Sequence, residues 1–128
     1  MKYKVIVPDD VLPLPKLHEM SAARLLSVYF KKDVVFIKCL GNKTADISID
    51  STEWEIKSPT GGGKRNIQHQ LSKALKQSPN IVFDARRSKL HIVKIERELE
   101  KQFKTTKKLK RLLLIKKDGN IVAFHGKI

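Results

Sequence analysis

Apolar and polar side chains alternate from Lys2 to Val7, a short strand. Leu17 to Phe30 has helical spacing. Glu19, Ala23, Leu26 and Phe30 fall on one inward stripe, and Arg24, Ser27 and Lys31 cluster on another side. Val34 to Leu40 is apolar and β-branched, a strand that runs into a turn at Gly41-Asn42. Ala45 to Asp50 and Glu53 to Lys57 alternate about a polar turn at Ser51-Thr52, a hairpin. Lys64 to Gln77 reads as a helix, with Ile67, Leu71, Ala74 and Leu75 as its apolar side, and Ser78-Pro79 ends it. Asn80 to Asp84 reads as a buried strand, Ile92 to Lys104 as a helix, Leu109 to Lys116 as a strand and Ile121 to Phe124 as the last strand. This order predicts one α/β domain, a mixed central β-sheet flanked by helices. Residues 1–15 form an N-terminal strand and a Pro-rich approach, and residues 16–125 the core of the domain.

A length of 128 residues suits a single core. Charge narrows the choice of partner. There are 27 Lys and Arg against 13 Asp and Glu, a formal net charge of +14. Such an excess on a small domain favours a polyanion, nucleic acid before an acidic protein or an anionic membrane. One cysteine, Cys39, excludes an internal disulfide and a Cys-based zinc site, and its apolar surroundings predict a core thiol. The four histidines show no close metal-ligand spacing. No apolar run approaches the ~20 residues of a membrane span. The alternating start followed by Pro8 and Asp9 is no secretion signal. The expectation is a soluble compartment, or export by another agent.

The stretch Trp54 to Asn66, WEIKSPTGGGKRN, invites a phosphate-loop reading, and the spacing rejects it. A Walker-type loop needs Gly five residues before the Gly-Lys pair and Ser or Thr after the Lys. Ser58 and Arg65 stand there. Gly61, Gly62 and Gly63 instead permit tight turns and close approach of another chain, ahead of a helix N-terminus that favours an anion. A simple flexible connection has the same signature.

The hairpin carries more chemistry. Strand alternation puts Asp46, Ser48 and Asp50 on the face shared by Glu53, Glu55 and Lys57, with Ile47, Ile49, Trp54 and Ile56 on the other. Closing over Ser51-Thr52 predicts Ile49 opposite Trp54, Ile47 opposite Ile56 and Asp46 opposite Lys57, diagonal to Glu55. Neighbouring carboxylates repel and call for a cation. A hard divalent ion such as Mg²⁺ takes one or two carboxylates plus water and phosphate. Lys57 beside them can orient a water or stabilise a phosphorane. The competing reading is a solvated face with an ordinary surface ion pair. Glu19, aimed inward, needs a partner or a metal. Asn66, Gln70, Lys73 and Gln77 share a flank of the next helix, suited to phosphates or simply to solvent. His69 faces outward, more in keeping with solvation than with acid–base work.

The stretch Ala45-Asp46-Ile47 with Trp54-Glu55-Ile56-Lys57-Ser58-Pro59 resembles the core of the PD-(D/E)xK nuclease superfamily. HEMSAARLLS at 18–27, ADISIDSTEWEIKSP at 45–59, the glycines with KRNIQHQLSKALKQSPNIVFD and a final hairpin extend the likeness. Together they resemble the C-terminal nuclease domain of contact-dependent growth inhibition toxins, the CdiA-like tRNA nucleases, over roughly residues 16–125. The resemblance implies a restriction-endonuclease-like fold. It implies metal binding (Mg²⁺, or another divalent ion such as Mn²⁺) by Asp46 and Glu55 with Glu19 as a further acidic member, and Lys57 in the active site. It also implies an acidic immunity protein, a bacterial cytoplasmic site of action and delivery within a larger secreted toxin. Two features depart from the pattern. Thr44-Ala45 stand where a Pro is usual, and no large translocating region precedes, so the chain is an excised domain or a stand-alone relative. Asp50, at the turn, ranks behind Asp46.

The leading expectation is therefore a metal-dependent endonuclease acting on tRNA. A DNase of the same fold, a non-catalytic nucleic-acid binder and a basic structural protein are the alternatives. Lys64, Arg65, Lys73, Arg86 and Arg87 are the expected nucleic-acid contacts. The eight Lys and Arg between Lys101 and Lys117 are expected to hold the backbone farther away.

Overall fold

The computed structural model describes residues 2–39 and 44–125, with the Lys64 side chain left out. The chain runs β1 (Val5–Ile6), α1 (Leu17–Phe30), β2 (Val34–Phe36), β3 (Ile47–Ile49), β4 (Thr52–Lys57), α2 (Lys64–Ala74), β5 (Asn80–Asp84), α3 (Ile92–Thr105), β6 (Arg111–Ile115), β7 (Ile121–Ala123). The strands form one seven-stranded sheet in chain order, β1 to β7. β1–β2, β4–β5 and β5–β6 pair parallel, across the crossovers through α1, α2 and α3; the hairpin-type pairs are antiparallel. The expected mixed α/β sheet is thus the observed one.

Helices cover both faces. Ala22, Ala23 and Leu26 of α1 pack on Ile47, Trp54, Ile56, Val82 and Leu113. Ile67 and Leu71 of α2, with Ile95, Leu99 and Phe103 of α3, pack on Ile81, Phe83, Leu112 and Leu114. Successive residues of β5 and β6 therefore enter different cores, which is why these strands read as unbroken apolar runs.

Four local expectations need correction. The hairpin turns at Asp50-Ser51, both with positive φ (50° and 68°), one residue earlier than expected. Ile47 pairs with Trp54 and Ile49 with Thr52. A turn moved by one residue shifts the register by two, so the apolar face survives and only the cross-strand partners change. Ser27 is fully buried, its hydroxyl donating to Arg24 O (2.7 Å), rather than outward. Cys39 is exposed, because β2 ends at Phe36 and the chain leaves the sheet before it. The Gly61–Gly63 run has no positive φ, and a side chain at Gly63 would meet open space, so no tight turn demands glycine there. The expected turn at Gly41-Asn42, and Leu40 before it, lie outside the described residues.

Candidate active site

At the carboxyl ends of the parallel strands, β4 and β5 stop, α1 and α2 begin and the chain enters β3. Open α/β sheets bind ligands at this edge. Asp46 stands just before β3. Its N–H donates to Trp54 O (3.1 Å), while its Oδ2 accepts the N–H of Ile56 (2.8 Å), so the carboxylate replaces a ladder bond across the hairpin. That contact fixes Asp46 next to Glu55 on β4. Glu55 alternates with Trp54 and Ile56, so it stands on the sheet face away from α1, yet it is only 6% exposed. Its Oε2 lies 3.5 Å from Lys57 Nζ. Its Oε1 is buried and finds no donor in the protein.

Burial, then the Asp46 charge and contact with that carboxyl, raise Glu55 to about 8 against the opposing pull of Lys57. Asp46 is raised as well, chiefly by burial and further by the Glu19 charge; the Ile56 N–H, Glu55 and Lys57 work against this. The pair thus retains a proton where isolated carboxyls would be ionised. Two oxygen-donor groups, one with an orphaned buried oxygen, suit a hard divalent cation that completes its shell with water and phosphate. Among the described residues no group of three or more His, Cys, Asp or Glu side chains is placed to hold a metal ion. Asp46 and Glu55 thus stand as a pair of neighbouring carboxyls without a third such ligand among the described residues.

Glu19, in the first turn of α1, lies near enough for its charge to act on Asp46. Its Oε1 accepts the Lys16 N–H (2.7 Å), which caps the helix. Glu19 and Asp46 line one cavity of about 240 Å³, closed on one side by the strap Val11 to Lys16.

The predicted basic contacts divide. Arg65 and Lys73 are exposed on α2, as is His69. Arg86 is instead tied down. Its Nε and Nη2 donate to the two oxygens of the fully buried Asp84 (2.9 and 2.8 Å), and Nη1 donates to Ser21 Oγ (2.6 Å). This fork straps the end of β5 to the first turns of α1, the segment that carries Glu19. Arg87 is exposed, its Nη1 3.0 Å from His18 Nδ1. Sequence reasoning missed Asp84, Ser21 and His18. The available signal was an Asp closing the apolar run Ile81 to Phe83, two residues before Arg86. The Ser78 and Asn80 side chains both donate to Glu53 O (2.9 and 3.1 Å) and so pin β4.

The chain is thus a strongly basic α/β domain with a buried carboxylate pair at the carboxyl edge of its sheet. The family model for the contact-dependent growth inhibition CdiA C-terminal domain matches residues 43–121, and the chain belongs to that family. Among solved structures, the CdiA-CT/CdiI toxin and immunity complex from Burkholderia pseudomallei is similar over 97% of this chain and 99% of that chain, with a TM-score of 0.73 and 25% identity. No curated protein gives a significant match.

Proposed function

We propose that this chain is a toxin-type, metal-dependent endonuclease that hydrolyses phosphodiester bonds, with tRNA as its substrate. The observation that carries the reading is the Asp46–Glu55 pair: adjacent, proton-retaining, with a buried oxygen lacking a donor and Lys57 at 3.5 Å. Asp46 and Glu55 would hold Mg²⁺, or Mn²⁺ in its place. Such an ion, when bound, lowers the pKa of a coordinated water and neutralises charge on the phosphate. Lys57, held beside Glu55, donates to the attacking water and to the phosphate oxygen on which charge grows. Glu19 adds negative charge at the mouth and keeps Asp46 basic. Lys64, Arg65, Lys73 and Arg87 bind the substrate backbone. Arg86 serves the same site from behind, by holding α1 against β5.

The similar structure is of a toxin with its immunity protein. By analogy an immunity protein binds this chain, and a net charge of +14 calls for an acidic one. Action in the cytoplasm of a target bacterium, after delivery within a larger secreted toxin, completes the reading. None of the described helices is long and apolar enough to cross a membrane.

The test is a substrate comparison. The purified chain is incubated with total tRNA and with plasmid DNA, each with Mg²⁺ or with EDTA. Discrete tRNA fragments that appear only with Mg²⁺ support the proposal. Cleavage of plasmid alone reassigns the chain as a DNase of the same fold. No cleavage of either, with binding retained, makes it a nucleic-acid binder.

A further inference from the structure

A second cavity lies at the other edge of the sheet. There the last turns of α1 and α3 approach from opposite faces, across the amino ends of β4 and β6. It has a volume of about 610 Å³ and shares no lining residue with the carboxylate cavity. Tyr29, Phe30, Trp54, Phe103 and Phe124 form its walls. These are five of the eight aromatic side chains in the sequence. The rings already pack on one another around the space. Phe30 and Trp54 have centroids 5.7 Å apart, and Phe103 and Phe124 6.4 Å apart.

Charge at the lining is one-sided. Lys32, Lys110 and Arg111 contribute, against the single carboxylate of Asp50. Asp50 pairs with Lys32 at 3.4 Å, and Arg111 Nη1 donates to Asn80 Oδ1 at 3.1 Å. Lys110 is exposed and has no ion-pair partner among the described residues. A ring-lined space of this size is in the range of small-molecule sites, where apolar walls hold the body and a few polar groups fix its orientation. The unbalanced cations favour a negative group on the occupant.

We propose that this cavity binds a small apolar anion, an aromatic or aliphatic hydrocarbon body bearing one carboxylate, with the anionic group against Lys110 and Arg111. The proposal is independent of the nuclease reading, since no residue of the carboxylate pair takes part.

The sequence supplies its own reporter, because the single tryptophan, Trp54, is in the cavity wall. The full chain is titrated with 3-phenylpropanoate, with its neutral alcohol 3-phenylpropan-1-ol and with adenosine monophosphate, reading Trp54 emission. The expected result is a saturable change with the acid and binding of the alcohol weaker by at least about fivefold, the size of one partly solvated charge interaction. Lys110→Glu, on an exposed side chain, should weaken the acid by about fivefold and leave the alcohol unchanged. Ala123→Leu narrows the space and should weaken both ligands. Absence of a saturable change, equal affinity for acid and alcohol, or indifference to Lys110→Glu overturns the proposal. Tighter binding of adenosine monophosphate than of the acid also overturns it, by making the cavity a nucleotide subsite.

Discussion

Glu55 is the residue on which the proposed chemistry turns, because its surroundings are hostile to its own charge. An ordinary glutamate ionises near 4.5, whereas Glu55 in the folded chain is pushed up to about 8 by burial and by Asp46. Between those values the folded protein binds more protons than the unfolded one, so stability falls as pH rises. Unfolding temperatures measured in EDTA should therefore drop from about pH 5 to about pH 8.5, and Glu55→Gln, which is never charged, should flatten the drop. Equal slopes in the two proteins would contradict the assignment. Mg²⁺ should raise the unfolding temperature more at the alkaline end, where no proton has to be displaced. Asp84 is held by a different kind of contact. It is fully buried but answered by the Arg86 fork, so Arg86→Ala leaves a buried carboxylate without its cation. A loss of about 3 kcal/mol in denaturant unfolding is expected. Arg86→Ala should also loosen α1 and lower cleavage, whereas Arg87→Ala, at the exposed neighbour, should reduce substrate binding without loss of stability.

The β3–β4 hairpin sets the geometry of the pair, and its turn is strained. Asp50 and Ser51 both adopt positive φ, a conformation that suits Asn and Gly far better than Ser. Ser51→Gly should stabilise the protein by about 0.5–1 kcal/mol, read from the denaturation midpoint. No gain would mean that the turn relaxes in solution. This hairpin also marks the limit of what the sequence discloses. Alternation made both faces legible: Ile47, Ile49, Trp54 and Ile56 are in the core, as their spacing requires. The register was not legible, because Ser51-Thr52 and Asp50-Ser51 are comparable turn sequences and either closure buries the same side chains. Helix α1 was legible in its bounds, since an apolar stripe spans it, but Ser27 was grouped with Arg24 and Lys31 because a serine that bonds its own helix gives no sign of burial in a polarity pattern. Cys39 was misplaced for a related reason: apolar residues continue past the last ladder bond, and sequence does not record where a strand lets go. The proximity of Asp46 and Glu55 was legible. The tie between Arg86 and Ser21, a contact between residues 65 apart in the chain, was not.

The whole molecule joins two different edges on one sheet. The carboxyl edge gathers Glu19, Asp46, Glu55 and Lys57 with exposed Arg65 and Arg87 nearby, and the amino edge holds the aromatic cavity. With a net charge of +14, nucleic-acid affinity should fall steeply and linearly on a logarithmic salt scale, through counterion release. Arg65→Ala and Lys73→Ala should each reduce that slope by about one if each holds a phosphate, as filter-binding titrations would read. Catalysis and binding are thereby separable, since the carboxylates add nothing to the attraction for a polyanion. The most direct measurement is the rate of tRNA cleavage by Glu55→Gln beside the wild type, in Mg²⁺, with tRNA affinity measured on the same samples. Cleavage lost by at least about a hundredfold, with affinity unchanged or tighter, is the predicted result. Cleavage that persists in Glu55→Gln would contradict the central claim, and would mean that the buried carboxylate pair is not where the phosphodiester bond is broken.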